Sequence, residues 1–340
     1  MSLPNLWFAV IAVFWTGYFV LEGFDLGVGA LHRWLGRSPE ERRVVVNTIG
    51  PFWDGNEVWL IVGGAAIFAA FPSWYATWFS AGYLALLLVL LALIGRGLSF
   101  EWRGKLTQPR WRSTWSWALT VGSLLIPLLL GVALGDLLAG LPIDGTEEFV
   151  GSFVDLLTPF GLMFGVTLLA LSLLHGSTFV ALRTTGAVRD RAHRYAGVLV
   201  WFGLALAIGS AVWTAALSQS GSWAMAAGII PTAALIVAAA AVRGRRDGWA
   251  FTGTGIGIGG VVATLFVNLQ PAVMTSSLDP AYTLTISGTA SGSYALQVMT
   301  MVALVLFPFV LLYQGWGFYV FRARLRSADA PASVSAQPAD

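Results

Sequence analysis

Two acidic residues lie inside the first long apolar stretch of this chain, and they are the first candidates for chemistry. Glu22 and Asp25 are spaced i, i+3, so a helix would carry both on one face. A carboxylate in apolar surroundings is costly, so it is normally paired, buried or functional. Gly23 and Gly27, followed by Gly29, predict a helix face that packs closely against another helix. We therefore predict a buried polar site; the structural alternative is a pair of hydrogen-bonded carboxyl groups that anchors two helices.

A second polar cluster opens the next apolar stretch. Trp53, Asp54, Asn56, Glu57 and Trp59 lie within two helical turns of one another. One interpretation is structural, with Asp54 as a helix N-cap and Glu57 completing a capping box. The other is functional, because Asp54 and Glu57 are expected at the same level of the membrane as Glu22 and Asp25 of the first stretch. A line of carboxylates from the surface inward is what a proton path requires, with the tryptophans and the asparagine as aromatic and polar support.

Three histidines and one further acid complete the candidates. His175 lies inside the fifth apolar stretch at the depth of Asp25, where a hydrogen-bonded histidine is favoured over a haem ligand. His32 and His193 flank basic segments, which predicts interfacial positions. Asp136 lies near the end of the fourth stretch, and we predict that its carboxylate extends to the membrane interface. The sequence contains no metal-ligand cluster, phosphate-binding loop or hydrolase triad.

The composition indicates a membrane protein. Hydrophobic residues make up 57% of the 340 residues, charged residues make up 11%, and the mean hydropathy is +0.75. About 20 apolar residues in a helix span the hydrocarbon layer. We therefore predict an all-α integral membrane protein with nine spans, near 6–31, 56–72, 75–96, 114–138, 157–182, 195–217, 223–242, 249–271 and 294–320. Cysteine is absent, which excludes disulfides and thiolate ligands.

The basic residues predict the orientation of these spans. All 19 lysines and arginines fall in five short segments, at 33–43, 96–112, 183–194, 243–246 and 322–326. Such segments stay in the cytoplasm, which places the N-terminus outside and the C-terminus inside. We treat 1–326 as one transmembrane domain and predict that 327–340 form a disordered cytoplasmic tail. The pI of about 9.1 reflects this asymmetry, so no nucleic-acid partner is expected.

Two motifs in the chain resemble those of a known family. Gly-Phe-Asp-Leu-Gly-Val-Gly at 23–29 and Trp-Asp-Gly-Asn-Glu-Val-Trp-Leu at 53–60 closely resemble subunit II of the cytochrome bd-type quinol oxidases. The resemblance covers essentially the whole chain. It implies two four-helix bundles plus a peripheral helix, paired with a similarly folded subunit I. It also implies that two haem b groups and one haem d belong to subunit I, so this chain holds no haem and no catalytic residue.

The resemblance further implies an activity. Such complexes oxidise quinol and reduce dioxygen to water, take the protons from the cytoplasm without pumping, and reside in the bacterial cytoplasmic membrane. Subunit II supplies structure and a path for protons or oxygen. It can hold a structural quinone and can contact membrane lipid or small single-span accessory subunits. Asp54 matches the family carboxylate at the proton entry, Asp25 matches the acid of the first motif, and Trp53 and Trp59 match the aromatic pair at the entry.

Three positions depart from the family pattern. Glu22 stands where an aspartate is common, and Glu57 replaces what is often a glutamine, which adds a charge. His175 has no counterpart, so the resemblance gives it no ligand role. Two other function classes stay open on the residues alone. One is an ion-coupled secondary transporter that uses Glu22, Asp25 and Asp54, and the other is a single-chain haem b protein that uses His175.

Overall fold

The computed structural model describes residues 2–218 and 223–326, and these residues are mostly helical. Two short 3-10 turns, Phe153–Leu156 and Pro280–Tyr282, lie in connections. A small antiparallel ribbon pairs β1 (Ala272–Met274) with β2 (Leu284–Thr285). The predicted tail at 327–340 lies outside the described residues. The helices are α1 Leu3–Leu35, α2 Pro39–Asn47, α3 Trp53–Ala70, α4 Pro72–Ala81, α5 Tyr83–Trp102, α6 Pro109–Ala139, α7 Pro159–Arg183, α8 Gly186–Leu217, α9 Trp223–Ala227, α10 Ile229–Arg243, α11 Asp247–Leu269 and α12 Ser293–Val320.

Eight helical segments of the described chain are long and apolar enough to cross a membrane. They are α1, α5, α6, α7, α8, α11, α12 and the segment Met225–Arg243. The chain is therefore a multi-pass membrane protein. Helix α3, predicted as the second span near 56–72, is not among the eight, because the polar residues of its first turns lower its mean hydropathy. The count of nine spans and the orientation that depends on it stay predictions.

Two predicted spans contain a break. The span predicted near 75–96 is divided between α4, which ends at Ala81, and α5, which begins at Tyr83. Gly82 lies between them with φ −82° and ψ 7°, outside regular helical geometry. The span predicted at 223–242 is likewise divided between α9 and α10 at Gly228. Glycine has the weakest helix propensity after proline, which explains why both breaks occur at glycines.

Helix α1 lies at the centre of the molecule and packs against α3, α6, α7 and α11. Its closest approach is to α7, at Gly27. A Cβ atom on Gly27 would collide with the main-chain carbonyl of Ser172 and would lie 2.9 Å from the Cα of Gly176. Only small residues permit such an approach between helix backbones. At the opposite extreme, α12 buries only Leu296 within the described chain, so α12 is its outermost helix.

Three polar residues near the ends of apolar helices are buried in the protein. The prediction that Asp136 extends to the interface was wrong, because this buried residue accepts a 2.6 Å hydrogen bond from Thr158 Oγ1 at the start of α7. His32 and His193 are also buried, and the interfacial level predicted for them stays a prediction. His32 Nδ1 lies 2.7 Å from a main-chain carbonyl of α1, and His193 Nε2 lies 2.8 Å from the carboxylate of Asp247. These partners replace the water that each group loses on burial.

Candidate functional site

Helix α1 carries Glu22 and Asp25 into the interior, where neither residue is exposed. Their carboxyl groups lie on the same side of the helix and are close enough to interact. The three glycines of the motif face three different helices: Gly23 faces α11, Gly27 faces α7 and Gly29 faces α6. Close packing on these sides excludes lipid and water. The two acids therefore depend on protein groups for their hydrogen bonds and counter-charges.

The counter-charge comes from Arg96 of α5, which is fully buried. Its Nη1 lies 2.6 Å from Glu22 Oε1 and 3.8 Å from Glu57 Oε2. Arg96 is both the last residue of the span predicted near 75–96 and the first of the basic segment at 96–112, and its side chain is buried among the helices. A usable signal was present, because Arg96 follows an unbroken apolar run and stands seven positions before the next basic residue, Arg103. A charge inside an apolar run indicates a buried partner.

A chain of side-chain amides connects Asp25 to the outermost helix. Asn56 Nδ2 donates to Asp25 Oδ2 at 2.6 Å and to the main-chain carbonyl of Leu21 at 3.1 Å. The Oδ1 atom of Asn56 accepts a hydrogen bond of 2.5 Å from Gln314 Nε2 of α12. Sequence reasoning proposed Asn56 as polar support but missed Gln314. The available signal was an amide that directly follows a long apolar run, since such a group requires a partner.

Asp54 and Glu57 lie on the first turns of α3, at the outer side of the cluster. Helix α3 begins at Trp53, and its N-cap residue, Phe52, makes no side-chain capping hydrogen bond. The capping-box interpretation of Asp54 and Glu57 was therefore wrong. Asp54 is exposed, the side chain of Glu57 is 19% exposed, and that of Arg96 is 0% exposed. The exposed fraction of these side chains thus decreases stepwise from the first turn of α3 toward the interior.

The structure separates the two tryptophans that were interpreted as one aromatic pair. Trp53 stacks on Phe100 of α5 with 4.6 Å between ring centroids, beside the exposed end of the cluster. Trp59 is buried and makes edge contacts with Phe14 and Phe307, at 6.1 and 6.0 Å between centroids. Six residues of helix separate the two rings by about 9 Å along the axis. Trp53 therefore lies near the exposed end of the cluster, and Trp59 packs α3 against α1 and α12.

Glu22, Asp25, Glu57 and Arg96 together form what we call the carboxylate cluster. Three carboxyl groups share one guanidinium, and unbalanced negative charge is costly in a low-dielectric interior. The carboxyl groups of Glu22 and Asp25 also contact each other, and the hydroxyl of Tyr18 has no hydrogen-bond partner within the described chain.

Comparison with known proteins assigns the chain to a family. A family model described as cytochrome bd terminal oxidase subunit II matches residues 3–321, nearly the whole chain. The chain belongs to this family. It is accordingly a subunit of a terminal oxidase, as the two sequence motifs indicated, and the recognition of the family from those motifs is confirmed. The transporter alternative is not supported.

Individual relatives agree with this assignment of subunit II. The chain is 44% identical over 328 residues to the cytochrome bd ubiquinol oxidase subunit 2 of Bacillus subtilis, covering 95% of this chain and 97% of that relative. It is 35% identical over 367 residues to the cytochrome bd-I ubiquinol oxidase subunit 2 of Escherichia coli K12, covering 96% of each. The structure of bd oxidase from Geobacillus thermodenitrificans superposes with a TM-score of 0.71, covering 94% of this chain and 97% of that one. At 17% identity this likeness shows the fold alone.

His175 does not join the carboxylate cluster of this subunit II chain. Its Nδ1 lies 2.7 Å from Thr254 Oγ1, and its Nε2 lies 3.2 Å from the main-chain carbonyl of Val20. The ring also stacks on Phe251 with 4.5 Å between centroids. Both ring nitrogens thus have protein partners. This geometry favours a hydrogen-bonded histidine that joins α1, α7 and α11 over a haem ligand.

Subunit II carries further ion pairs at its basic end. Asp247 accepts a hydrogen bond of 3.0 Å from Arg324, and His193 lies 2.8 Å from the same carboxylate. Glu41 of α2 pairs with Arg191 of α8 at 2.6 Å. The hydrogen bond from Arg191 is the main reason that the pKa of Glu41 lies below its usual value. These contacts join the ends of α2, α8 and α11 to the segment that follows α12.

An apolar cavity of about 480 Å³ opens between α1, α3, α4, α5 and α6 of subunit II. It is separate from the polar contacts of the carboxylate cluster. The Nε1 atom of Trp15, which lines the cavity, has no hydrogen-bond partner within the described chain. Other lining residues include Leu60, Phe68, Trp78, Leu90 and Leu130. The cavity therefore combines apolar walls with one free hydrogen-bond donor.

Proposed function

We propose that this chain is the haem-free subunit II of a quinol:oxygen oxidoreductase complex, in which it supplies structure and a path for protons. The path begins at Asp54, enters the carboxylate cluster at Glu57 and continues to Glu22. The observation that carries this proposal is the graded exposure of the three acids, from an exposed Asp54 through a 19% exposed Glu57 to a fully buried Glu22. Ionisable groups in this order form a route along which protons can move inward.

Arg96 couples the two ends of this route. Its Nη1 lies within 3.8 Å of Glu57 and 2.6 Å of Glu22, so one cation stabilises whichever carboxylate is ionised. When Glu57 binds a proton, the guanidinium pairs with Glu22 alone. Transfer of that proton to Glu22 lets the guanidinium pair with Glu57. Arg96 itself keeps its proton throughout, because a guanidinium does not deprotonate in proteins.

Asp25 forms the inner end of the proposed route. Its carboxyl group interacts with that of Glu22, and Asn56 holds one of its oxygens at 2.6 Å. The amide of Asn56 is in turn held by Gln314, which fixes the orientation of the whole chain of contacts. The second oxygen of Asp25 stays available for a proton from Glu22. We infer that a path continues from Asp25 toward the partner subunit.

We place the two haem b groups and the haem d of the complex on the partner, subunit I. Two observations support this placement: the family model that matches the chain is that of subunit II, and His175 and His193 use ring nitrogens for protein contacts. When bound, the haems supply the electron transfer and the reduction of oxygen. A haem spectrum from this chain purified without its partner would contradict the assignment.

We propose quinol as the electron donor and dioxygen as the acceptor of the complex, with protons taken from the cytoplasm and none pumped. The Bacillus subtilis and Escherichia coli relatives are named as subunits of ubiquinol oxidases, which supports quinol oxidation. Family membership and the eight apolar segments support a location in the bacterial cytoplasmic membrane. The basic ends of the helices would face the cytoplasm.

The apolar cavity beside Trp15 is our candidate site for a structural quinone. Its volume of about 480 Å³ suits part of an isoprenoid chain, and the free indole N–H can donate to a carbonyl oxygen. Helix α12 is exposed along most of its length. This helix is our candidate contact for membrane lipid or for a small single-span accessory subunit.

Asp54→Asn tests the proton path in the complex purified with its partner. We expect quinol-driven oxygen consumption to fall by at least about tenfold, because positioned acid–base groups typically contribute about 10²–10⁴ in rate. The haem content should not change. Glu101→Gln, which alters another exposed acid near the basic end of α5, is the matched control and should keep the wild-type rate. A wild-type rate with intact proton uptake in Asp54→Asn would contradict the proposed role of Asp54.

A further inference from the structure

Four half-buried arginines converge at the basic end of the molecule. They are Arg33 at the end of α1, Arg42 on α2, and Arg103 and Arg112 on either side of the α5–α6 connection. None of the four forms an ion pair within the described chain. Burial, together with the nearby cations, lowers the pKa of Arg103 to about 10. By contrast, Arg110 in the first turn of α6 is exposed.

Local contacts hold three of these guanidinium groups in place. Arg33 Cζ lies 4.4 Å from the centre of the Trp117 ring. Arg42 and Arg112 each donate from Nε to a main-chain carbonyl, at 2.9 and 3.1 Å. A guanidinium has five N–H donors, so each contact uses a small part of its capacity. These three groups are therefore held by the protein and keep donors for a ligand.

A buried imidazole lies beside these arginines. His32 is fully buried, and its Nδ1 lies 2.7 Å from the carbonyl of Gly29. Its Nε2 has no hydrogen-bond partner within the described chain. The charged groups that act on it most strongly are Arg103, Arg33 and Arg42. Half-buried like charges next to a buried polar atom without a partner are unfavourable unless a ligand supplies the missing interactions.

We propose that these four residues, the arginine cluster, bind the phosphate of an anionic phospholipid headgroup. Guanidinium groups pair with phosphate oxygens through parallel hydrogen bonds. The chain contributes these groups from three separate elements, so one bound phosphate would join the end of α1, helix α2 and the α5–α6 connection. Phosphatidylglycerol carries such a phosphate and a net negative charge.

The surroundings favour a lipid over free phosphate as the source of this anion. Trp34 and Trp117 are 46% and 47% exposed, and their rings are 6.4 Å apart in an edge contact at the level of the cluster. Exposed tryptophans mark the membrane interface. On the apolar side of the cluster, Leu98 and Val121 are also exposed and offer a surface to acyl chains. Free phosphate would use none of this apolar surface.

The test uses the complex purified with its partner and stripped of bound lipid in detergent. Phosphatidylglycerol, phosphatidylcholine and inorganic phosphate are added separately, and bound lipid is counted by native mass spectrometry alongside the thermal unfolding temperature. Wild type should retain phosphatidylglycerol in preference to the other two. Its affinity should fall about fivefold in Arg103→Gln and about 25-fold in Arg42→Gln/Arg103→Gln, at the usual contribution of one basic residue near an anionic headgroup. Arg110→Gln is the matched control and should bind as wild type does.

Several outcomes would overturn this proposal. Equal retention of phosphatidylglycerol by wild type and the double variant would show that the lipid binds elsewhere. Equal binding of phosphatidylcholine would show that the charge of the headgroup does not matter. Stabilisation by inorganic phosphate as large as that by phosphatidylglycerol would indicate an adventitious ion only. If the double variant fails to assemble, the single variants Arg103→Gln and Arg103→Lys are compared instead. The lysine variant should retain more affinity for phosphatidylglycerol than the glutamine variant. Equal losses of affinity would refute pairing through charge.

Discussion

Replacing Arg96 with glutamine should destabilise the complex strongly. The change removes the guanidinium of the carboxylate cluster and leaves Glu22 buried without a counter-charge. At the observed separation of 2.6 Å, two unit charges attract by about 6 kcal/mol at an effective dielectric constant of about 20. Desolvation offsets part of this attraction, and breaking a buried pair typically costs about 3–5 kcal/mol. We therefore expect Arg96→Gln to lower the free energy of unfolding by about 3–5 kcal/mol at neutral pH.

The assay is denaturant-induced unfolding of the purified complex in detergent, followed by circular dichroism. Arg110→Gln is the control, because it removes an exposed arginine without touching the cluster. The double variant Glu22→Gln/Arg96→Gln removes the charge that the single variant leaves unpaired. It should therefore recover at least about half of the loss, and the double-mutant cycle isolates the energy of the Glu22–Arg96 pair.

Two results would refute this reasoning. Wild-type stability in Arg96→Gln would show that Glu22 carries no charge at neutral pH, since a neutral carboxyl group does not require the guanidinium. A double variant no more stable than Arg96→Gln would assign the loss to packing instead of charge. Oxygen consumption, measured on the same samples, then separates a defect in proton transfer from a defect in assembly.

The remaining predictions concern packing and pH. Gly27→Ala forces a Cβ against the Ser172 carbonyl and should lower the free energy of unfolding by about 1–3 kcal/mol. Gly95→Ala places its new Cβ where no atom lies within 4 Å, so it should be neutral or stabilise by up to about 1 kcal/mol. Equal melting temperatures of the two variant complexes would contradict this prediction. The hydrogen bond from Arg191 lowers the pKa of Glu41. The ionised Glu41 therefore stabilises the fold at pH values above its usual pKa of about 4.3, and this contribution is lost as the pH falls through the lowered pKa. Melting temperatures on acidification should therefore fall less in Glu41→Gln than in wild type, and parallel pH profiles would contradict the role of this pair.

Local patterns in the sequence determined the class of this protein. Apolar stretches predicted helices because a helix satisfies its own backbone hydrogen bonds where water is absent. The motifs at 23–29 and 53–60 indicated the family, since a short run of glycines, acids and tryptophans at fixed spacing is specific. Neighbours in sequence also predicted that Glu22 and Asp25 share one helix face. Each of these inferences depends on residues within a few helical turns of one another.

Tertiary structure alone decided which groups meet. Arg96 belongs by sequence to a basic segment, and only the packing of α5 beside α1 turns it toward Glu22. Asn56 and Gln314 are 258 positions apart, yet they share a hydrogen bond of 2.5 Å. Asp136 was predicted at the interface but is buried, because Thr158 at the start of α7 supplies its hydrogen bond. No local pattern specifies such pairs, since burial of a charge depends on whether a distant element brings a group that compensates its desolvation.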